Sequence, residues 1–264
     1  MITHMNRHHA LTLFCLATLC ATAPASAFQP LITDDSGTQG KGGNQFELSL
    51  TQDRARTAGE YTKIRTLPLV YTRGLGEAFD AYLALIPTNI RSSVPHTDAS
   101  GAANPALGAK WRYYENEDSK TSLAVKPEIR LPVASAKEAA GLGSGRTSYG
   151  LLLILTQELP FGAIHANLAR GRDLFRYPEI NPHLSTAHAS IAPVWNLGEQ
   201  WKLALDLGRE VETAAGIRKR FTFFAAGAVY SPDKELDLAL GFIRRSDSAD
   251  NSTNSVTLGA TWHF

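Results

Sequence analysis

Eight charged side chains in this sequence stand where they could act on a passing solute. Lys110 and Arg112 alternate with apolar residues in Leu107–Tyr113, and Lys126, Glu128 and Arg130 do the same in Leu123–Leu131. A short turn joins the two stretches, so a hairpin would present all five on one face. Four cations against one carboxylate make a cationic stripe, and such a stripe lining a pore favours anions. The competing assignment is a braced lumen, in which cross-strand ion pairs contribute roughly 0.2–1 kcal/mol each. Lys202, Asp206 and Asp237 lie on the polar side of other alternating stretches, and Asp206 and Asp237, with Asp80, could neutralise the stripe. Residue types and spacing leave both assignments open.

Other groupings invite sharper chemistry. His165, Asn167, His188 and Ser190 could supply a Ser/His/Asn hydrolytic set. Such a set is defined by geometry, and no Gly-x-Ser-x-Gly elbow accompanies it. Histidine and serine on a wetted face need no catalytic explanation. Asp34-Asp35, ahead of a Gly/Thr/Gln run, offers oxygen ligands without the alternation of an EF-hand loop. It reads first as a structured turn before the first strand and second as a plug. Gly141-Leu142-Gly143-Ser144-Gly145 has the composition of a phosphate loop, but a strand-like segment follows where a dinucleotide fold needs a helix. It reads as a mobile outer loop. The expectation is no catalytic residue, no metal site and no cofactor.

The elements that would carry these residues are strands. Leu107–Tyr113, Leu123–Leu131, Trp201–Leu207, Leu236–Phe242 and Val256–Phe264 alternate with a period of two. Gln45–Asp53, Tyr61–Arg73, Ala78–Ile90, Thr147–Leu159, Ala163–Arg170, Thr186–Trp195 and Arg220–Tyr230 are further candidates. Together they predict an all-β, antiparallel transmembrane barrel of about 12 strands, of the outer-membrane type. Pro68, Pro87, Pro127 and Pro193 fall inside these stretches and mark bulges or strand ends, because proline cannot donate to a ladder. Short turns such as Gly74–Gly76 and Ser231–Lys234 alternate with longer links: 55–60, 91–104, 134–146, 171–183, 213–219 and 246–253. That asymmetry predicts short periplasmic turns opposite longer external loops. Trp111, Tyr113, Trp195, Trp201 and Trp262 fall near strand ends on the apolar face, as an aromatic girdle requires. No apolar run after the N-terminal segment is long enough for a membrane helix, a criterion blind to barrels.

Arg7 precedes the apolar run 10–23 and then Ala25-Ser26-Ala27, the order of a secretory signal peptide cleaved after Ala27. The expected organisation is signal peptide 1–27, periplasmic lead-in 28–42 and barrel 43–264. Both cysteines, Cys15 and Cys20, fall in the signal, which leaves no thiol chemistry for the mature chain. The full chain has 26 Lys+Arg against 25 Asp+Glu, so no basic surplus points to nucleic acid. The terminal pattern Val256, Leu258, Ala260, Trp262, Phe264 resembles the signal by which the barrel-assembly machinery of Gram-negative bacteria recognises its clients.

Several patches resemble the family named for the MetA pathway of phenol degradation, whose members are outer-membrane, transporter-like proteins. They are Pro30–Gly42, Gly108–Tyr113, Lys126–Pro132, Gly141–Arg146 and Val229–Pro232. The resemblance implies a barrel that passes small, aromatic or hydrophobic compounds, and it transfers no catalytic residue. The resulting expectation is an outer-membrane channel or facilitator for small solutes, embedded in outer-membrane lipid and without enzymatic activity. A structural or adhesion barrel and an outer-membrane lipid hydrolase are the alternatives.

Overall fold

The computed structural model describes residues 30–264 except Ala58, His96 and Asp250; the expected signal peptide and its cleavage point lie outside the described residues. The chain forms β1 (Asn44–Thr57), β2 (Glu60–Thr66), β3 (Leu69–Gly76), β4 (Phe79–Leu85), β5 (Pro87–Ser92), β6 (Ala99–Ala102), β7 (Ala106–Asn116) and β8 (Thr121–Arg130). A single helical turn, α1 (Ser135–Ala139), follows. Then come β9 (Ser148–Leu159), β10 (Gly162–Asp173), β11 (Leu184–Leu197), β12 (Trp201–Ala214), β13 (Ile217–Tyr230), β14 (Leu236–Asp247) and β15 (Ser252–His263). Every pairing is antiparallel, and β15 returns to β1 from Gln45↔His263 to Arg56↔Ser252. Segments β2/β3, β4/β5 and β6/β7 are each one barrel strand in two pieces, which gives a closed antiparallel barrel of 12 strands.

The three interruptions fall where the sequence has proline. Pro68, Pro87 and Pro105 sit at the breaks, lack the N–H a ladder needs, and keep their carbonyls in use. Pro68 accepts from Ser49 N at 3.1 Å, Pro87 from Leu67 N at 2.9 Å and Pro105 from Leu131 N at 2.8 Å. Pro127 and Pro193 stay within strands, opposite Leu151 and Ile164. Beyond the breaks, β6 pairs with β5 alone among the described residues. The loop that follows β8 folds in beside it. Asn104 donates to the carbonyls of Leu131 (2.7 Å) and Ser144 (2.8 Å) and accepts from Ser144 N (2.8 Å). Leu142 is buried against Ile64 and Ile90. The glycine-rich stretch 141–145 is therefore a packed element, contrary to the mobile loop expected of it. Composition was misleading because these glycines serve close approach: a β-carbon on Gly143 would stand 2.2 Å from Asn104 Oδ1.

Only three of the six links expected to be long are so. Residues 93–98, 131–147 and 174–183 are loops, whereas β1–β2, β12–β13 and β14–β15 are joined by two to four residues. At β12–β13 the strands run on to Ala215-Gly216, both at positive φ (49° and 78°), a turn geometry that matches strand twist. The polar residues that suggested loops there are strand ends standing beyond the apolar zone.

The two faces separate as the period of two predicts. On β12, Leu203, Leu205 and Leu207 are exposed while Ala204 and Asp206 are buried. On β8, Ala124, Lys126, Glu128 and Arg130 face inward and Leu123, Val125 and Ile129 outward. A register shift between Arg112 and Tyr114 leaves both Tyr113 and Tyr114 exposed. Trp111, Trp201 and Trp262 are half exposed on the outside, and Trp201 packs on Tyr230, Trp262 on Phe264 and Trp195 on Phe161. These aromatics gather at the end where Asn44 and Phe264 bond each other's backbone. Apolar outside and polar inside inverts the arrangement of a water-soluble domain. With the ladder closed, every strand has backbone partners and the apolar surface can face lipid.

Candidate functional site

Residues 30–43 run along the inner wall of the barrel as a strap. The sequence favoured a turn ahead of β1 over a plug; the hydrogen bonds place the segment inside. Its residues meet the barrel in order. Gln39 N donates to Asp80 on β4, and Ser36 N to Thr156 Oγ1 on β9 at 3.0 Å. Thr33 bonds Ser190 on β11 and Asp206 on β12, and Asp206 also accepts from Ile32 N (2.8 Å) and Thr33 N (2.7 Å). Leu31 fills a small apolar pocket of Ala192, Val194 and Ala204. Pro30 lies over Gly227 and Gly241, where any β-carbon would collide with its ring.

The centre of the strap is a charge lock. Asp34 Oδ2 accepts from Lys126 Nζ at 2.7 Å and Oδ1 from Lys110 Nζ at 3.1 Å. Lys110 also donates to the Asp35 carbonyl (3.0 Å). Asn167 clamps the Asp34 backbone from the other side, accepting from its N–H (2.7 Å) and donating to its carbonyl (2.9 Å). Asp34 and Lys126 are nearly fully buried, so the lock is bonded on every side, as a buried ion pair must be. The neighbouring Asp35 sits in the same field. Burial alone would raise its carboxyl, but Lys110, His165, the Gly37 N–H and Lys126 outweigh that and hold it below the usual carboxylate range.

Two spaces flank the lock. One, of about 890 Å3, opens toward the chain ends and is lined by Arg112, Lys202 and Asp237 among others. The other, about 120 Å3, is lined by Glu128, Arg130, Leu152, Ala169 and Ile32. Lys126 and Tyr82 line both and so form the partition. Lys126 Nζ stands 5.0 Å from the Tyr82 ring centroid, within cation–π range, and the Tyr82 hydroxyl donates to Glu128 at 3.0 Å.

The predicted stripe is thus brought together and is largely compensated. Arg112 pairs with Glu115 (3.1 Å) and Arg130 with Asp173 (3.0 Å). Asp206 and Asp237 take no part in its neutralisation: Asp206 holds the strap, and Asp237 bonds Ser231 and His263. The walls of the larger space carry five Lys/Arg and seven Asp/Glu, so a surplus of positive field is absent there. Sequence reasoning missed Asp34 as the counter-charge, and Tyr82 and Thr33 altogether. A signal existed for the first: four cations against two carboxylates, Glu115 and Glu128, on β7 and β8 call for an acid from elsewhere.

The hydrolytic set does not assemble. His165 Nδ1 bonds Thr156 (2.9 Å) and Asn167 is committed to the strap. His188 does reach Ser190 (3.0 Å), but that hydroxyl is also engaged by Thr33 at 2.6 Å. Among the described residues, no group of His, Cys, Asp and Glu has the arrangement of a metal site.

A closed antiparallel barrel with an apolar exterior and a polar, partly hollow interior is a membrane β-barrel of the outer-membrane type. Residues 29–262 match the family model described as "Putative MetA-pathway of phenol degradation", and the chain belongs to that family. No curated protein matches it. Among solved structures it is similar to the COG4313 outer membrane channel from Pseudomonas putida F1, at 16% identity and a TM-score of 0.68, over 87% of this chain and 98% of that one. The β domain of the Bordetella autotransporter BrkA follows at 15% identity and a TM-score of 0.55, over 85% and 100%. The KdgM porin in complex with disordered oligogalacturonate gives 10% and 0.53, over 83% and 99%. At these identities the likeness is one of fold.

Proposed function

We propose that this protein is an outer-membrane channel for small solutes, with the strap as its constriction and no catalytic role. One observation carries the reading: inside the closed barrel a space of about 890 Å3 and one of about 120 Å3 share two lining side chains, Tyr82 and Lys126, and Lys126 bonds the strap at Asp34. A partition of side chains can yield by rotamer and strap movement without breaking the barrel ladder. The channel architecture of the Pseudomonas putida neighbour and the family's phenol-degradation name support small, aromatic or apolar compounds as the cargo. Lys110, Lys126 and Asp206 hold the strap. Arg112, Lys202 and Asp237 shape the wider space, and Glu128 and Arg130 the narrower one. Planar-bilayer conductance and liposome uptake of the refolded mature chain test this, using small phenolic and uncharged solutes of graded size. Stepwise conductance and size-limited uptake are expected; a folded barrel that passes neither ions nor solutes refutes it.

Assembly gives a second expected result. Deleting Phe264 should lower the amount of heat-modifiable barrel in the outer membrane, because Phe264 closes the aromatic end against Trp262 and bonds the backbone of Asn44. Reading of the terminal strand by the barrel-assembly machinery, and export by a signal cleaved after Ala27, belong to this proposal. Undiminished folded barrel without Phe264 would remove the terminal aromatic from it.

A further inference from the structure

The outer face changes character sharply above its apolar band. On β12 the outward residues run Trp201, Leu203, Leu205, Leu207 and then Arg209. On β13 they run Tyr230, Ala228, Ala226 and Phe224, and after Thr222 come Arg220 and Arg218. On β14 Leu238, Leu240 and Phe242 give way to Arg244, and on β1 Phe46, Leu48, Leu50 and Gln52 to Arg54 and Arg56. On β10 Leu168 is succeeded by Arg170 and Arg172. Eight to ten residues separate the aromatic end from the first arginine on β12 and β13. At about 3.3 Å per residue and a tilt near 40°, that is roughly 20–25 Å, the height of an apolar membrane band. The arginines therefore begin at the far headgroup level.

The belt carries an electrostatic cost that the fold offsets with a carboxylate at Arg91 alone among the described residues. Arg54 stands directly opposite Lys63, and Lys63 directly opposite Arg91. Asn254 joins Arg54 to Arg244 across the barrel seam. Like charges directly opposed in a sheet destabilise it. Of the outward cations named here, Arg91 alone has a carboxylate within 4 Å among the described residues, namely Asp98. The acids of the same height, Glu210 and Glu212, point inward to Arg245. The acids here are thus turned inward to Arg245, while the outward face of the same strands carries arginines.

We infer that this belt is a docking surface for the phosphate groups of the outer leaflet's phosphorylated glycolipid. The inference rests on the outer-membrane orientation with both chain ends periplasmic, and is independent of what the channel carries. A ring of fixed anions at the headgroup level would relieve the Arg54–Lys63–Arg91 repulsion. Arginine suits the role because its planar fork takes a phosphate through two parallel hydrogen bonds. Apolar residues directly below give acyl chains a continuous surface, so one ligand would meet both.

The test uses the full mature chain, refolded in detergent, with bisphosphorylated lipid A as probe and native mass spectrometry as readout. Bound lipid A is expected on the wild type. The Arg209→Gln/Arg220→Gln/Arg244→Gln variant should bind about tenfold to a hundredfold more weakly while keeping its heat-modifiable mobility. Arg73→Gln, at the opposite rim, should leave binding unchanged. Equal binding of dephosphorylated lipid A or of phosphatidylglycerol, or unchanged binding by the triple variant, would overturn the assignment. Should the triple variant fail to fold, Arg54→Gln alone, compared with Arg73→Gln, decides the matter by the same criterion.

Discussion

Replacing Asp34 with alanine should raise the conductance of this barrel and turn its ion preference toward anions. The substitution removes the acid that two lysines share and leaves Lys110 and Lys126 side by side in the wall of the larger space. Taking one partner from a buried ion pair costs about 3–5 kcal/mol, because an uncompensated charge remains. Here the larger space can admit water to both lysines, which lowers that cost and loosens the strap instead. Two events follow from one change: the constriction relaxes, and one unit of negative charge is lost beside Lys110 and Lys126 inside a low-dielectric wall. Reversal potentials in a salt gradient, with thermal unfolding alongside, check both. Asp34→Asn should keep part of the strap's geometry but uncover the same charge, so it should shift selectivity more than conductance. Wild-type conductance and ion preference in Asp34→Ala, with the barrel folded, would remove the lock from the gating mechanism.

Replacing Leu205 with lysine should destabilise the folded barrel in lipid by about 2–4 kcal/mol, the cost of a cation at mid-membrane. Leu205 is the middle of the outward series Trp201, Leu203, Leu205 and Leu207, before Arg209. The matching inward change, Ala163→Lys, places the same charge in the wall of the larger, wetted space and should cost far less. Urea titration of folding into phospholipid vesicles measures the difference. Equal costs would mean that the faces are exchanged or the membrane level misplaced.

The barrel was legible in the sequence because its signal is local. A period of two over nine or ten residues needs no knowledge of partners, and Lys126, Glu128 and Arg130 were correctly set on the face opposite Leu123, Val125 and Ile129. The strap was not legible because its bonds reach up to 174 residues along the chain, and nothing in Asp34 itself states which staves it will meet. The same limit explains the loops. Arg218 and Lys219 look like loop residues beside a leucine-rich strand, yet a strand that continues past the apolar band has the same polar composition as a loop. The glycine-rich stretch 141–145 failed for the opposite reason: its glycines make room for Asn104 and Glu138, a use that cannot be told from flexibility without the neighbours.

The strap lies ahead of β1 in the chain, yet its residues from Gln39 back to Pro30 meet first β4, then β7 to β10 through Ser36, Asp35 and Asp34, then β11 and β12, and last β13 and β14. Its attachment thus runs in the reverse sense to its own synthesis, and its last anchor is made of β13 and β14, which only β15 follows. Before β12–β14 are laid down, Thr33 and Leu31 have only β11 to hold and Pro30 has neither of its glycine seats. The seam between β1 and β15 likewise joins the two extremes of the chain. Contacts of the greatest sequence separation form against the greatest loop-closure entropy. The constriction is therefore completed with the closing of the wall: an unfinished barrel is also an unguarded one, and tightness to leakage becomes a late property of its biogenesis.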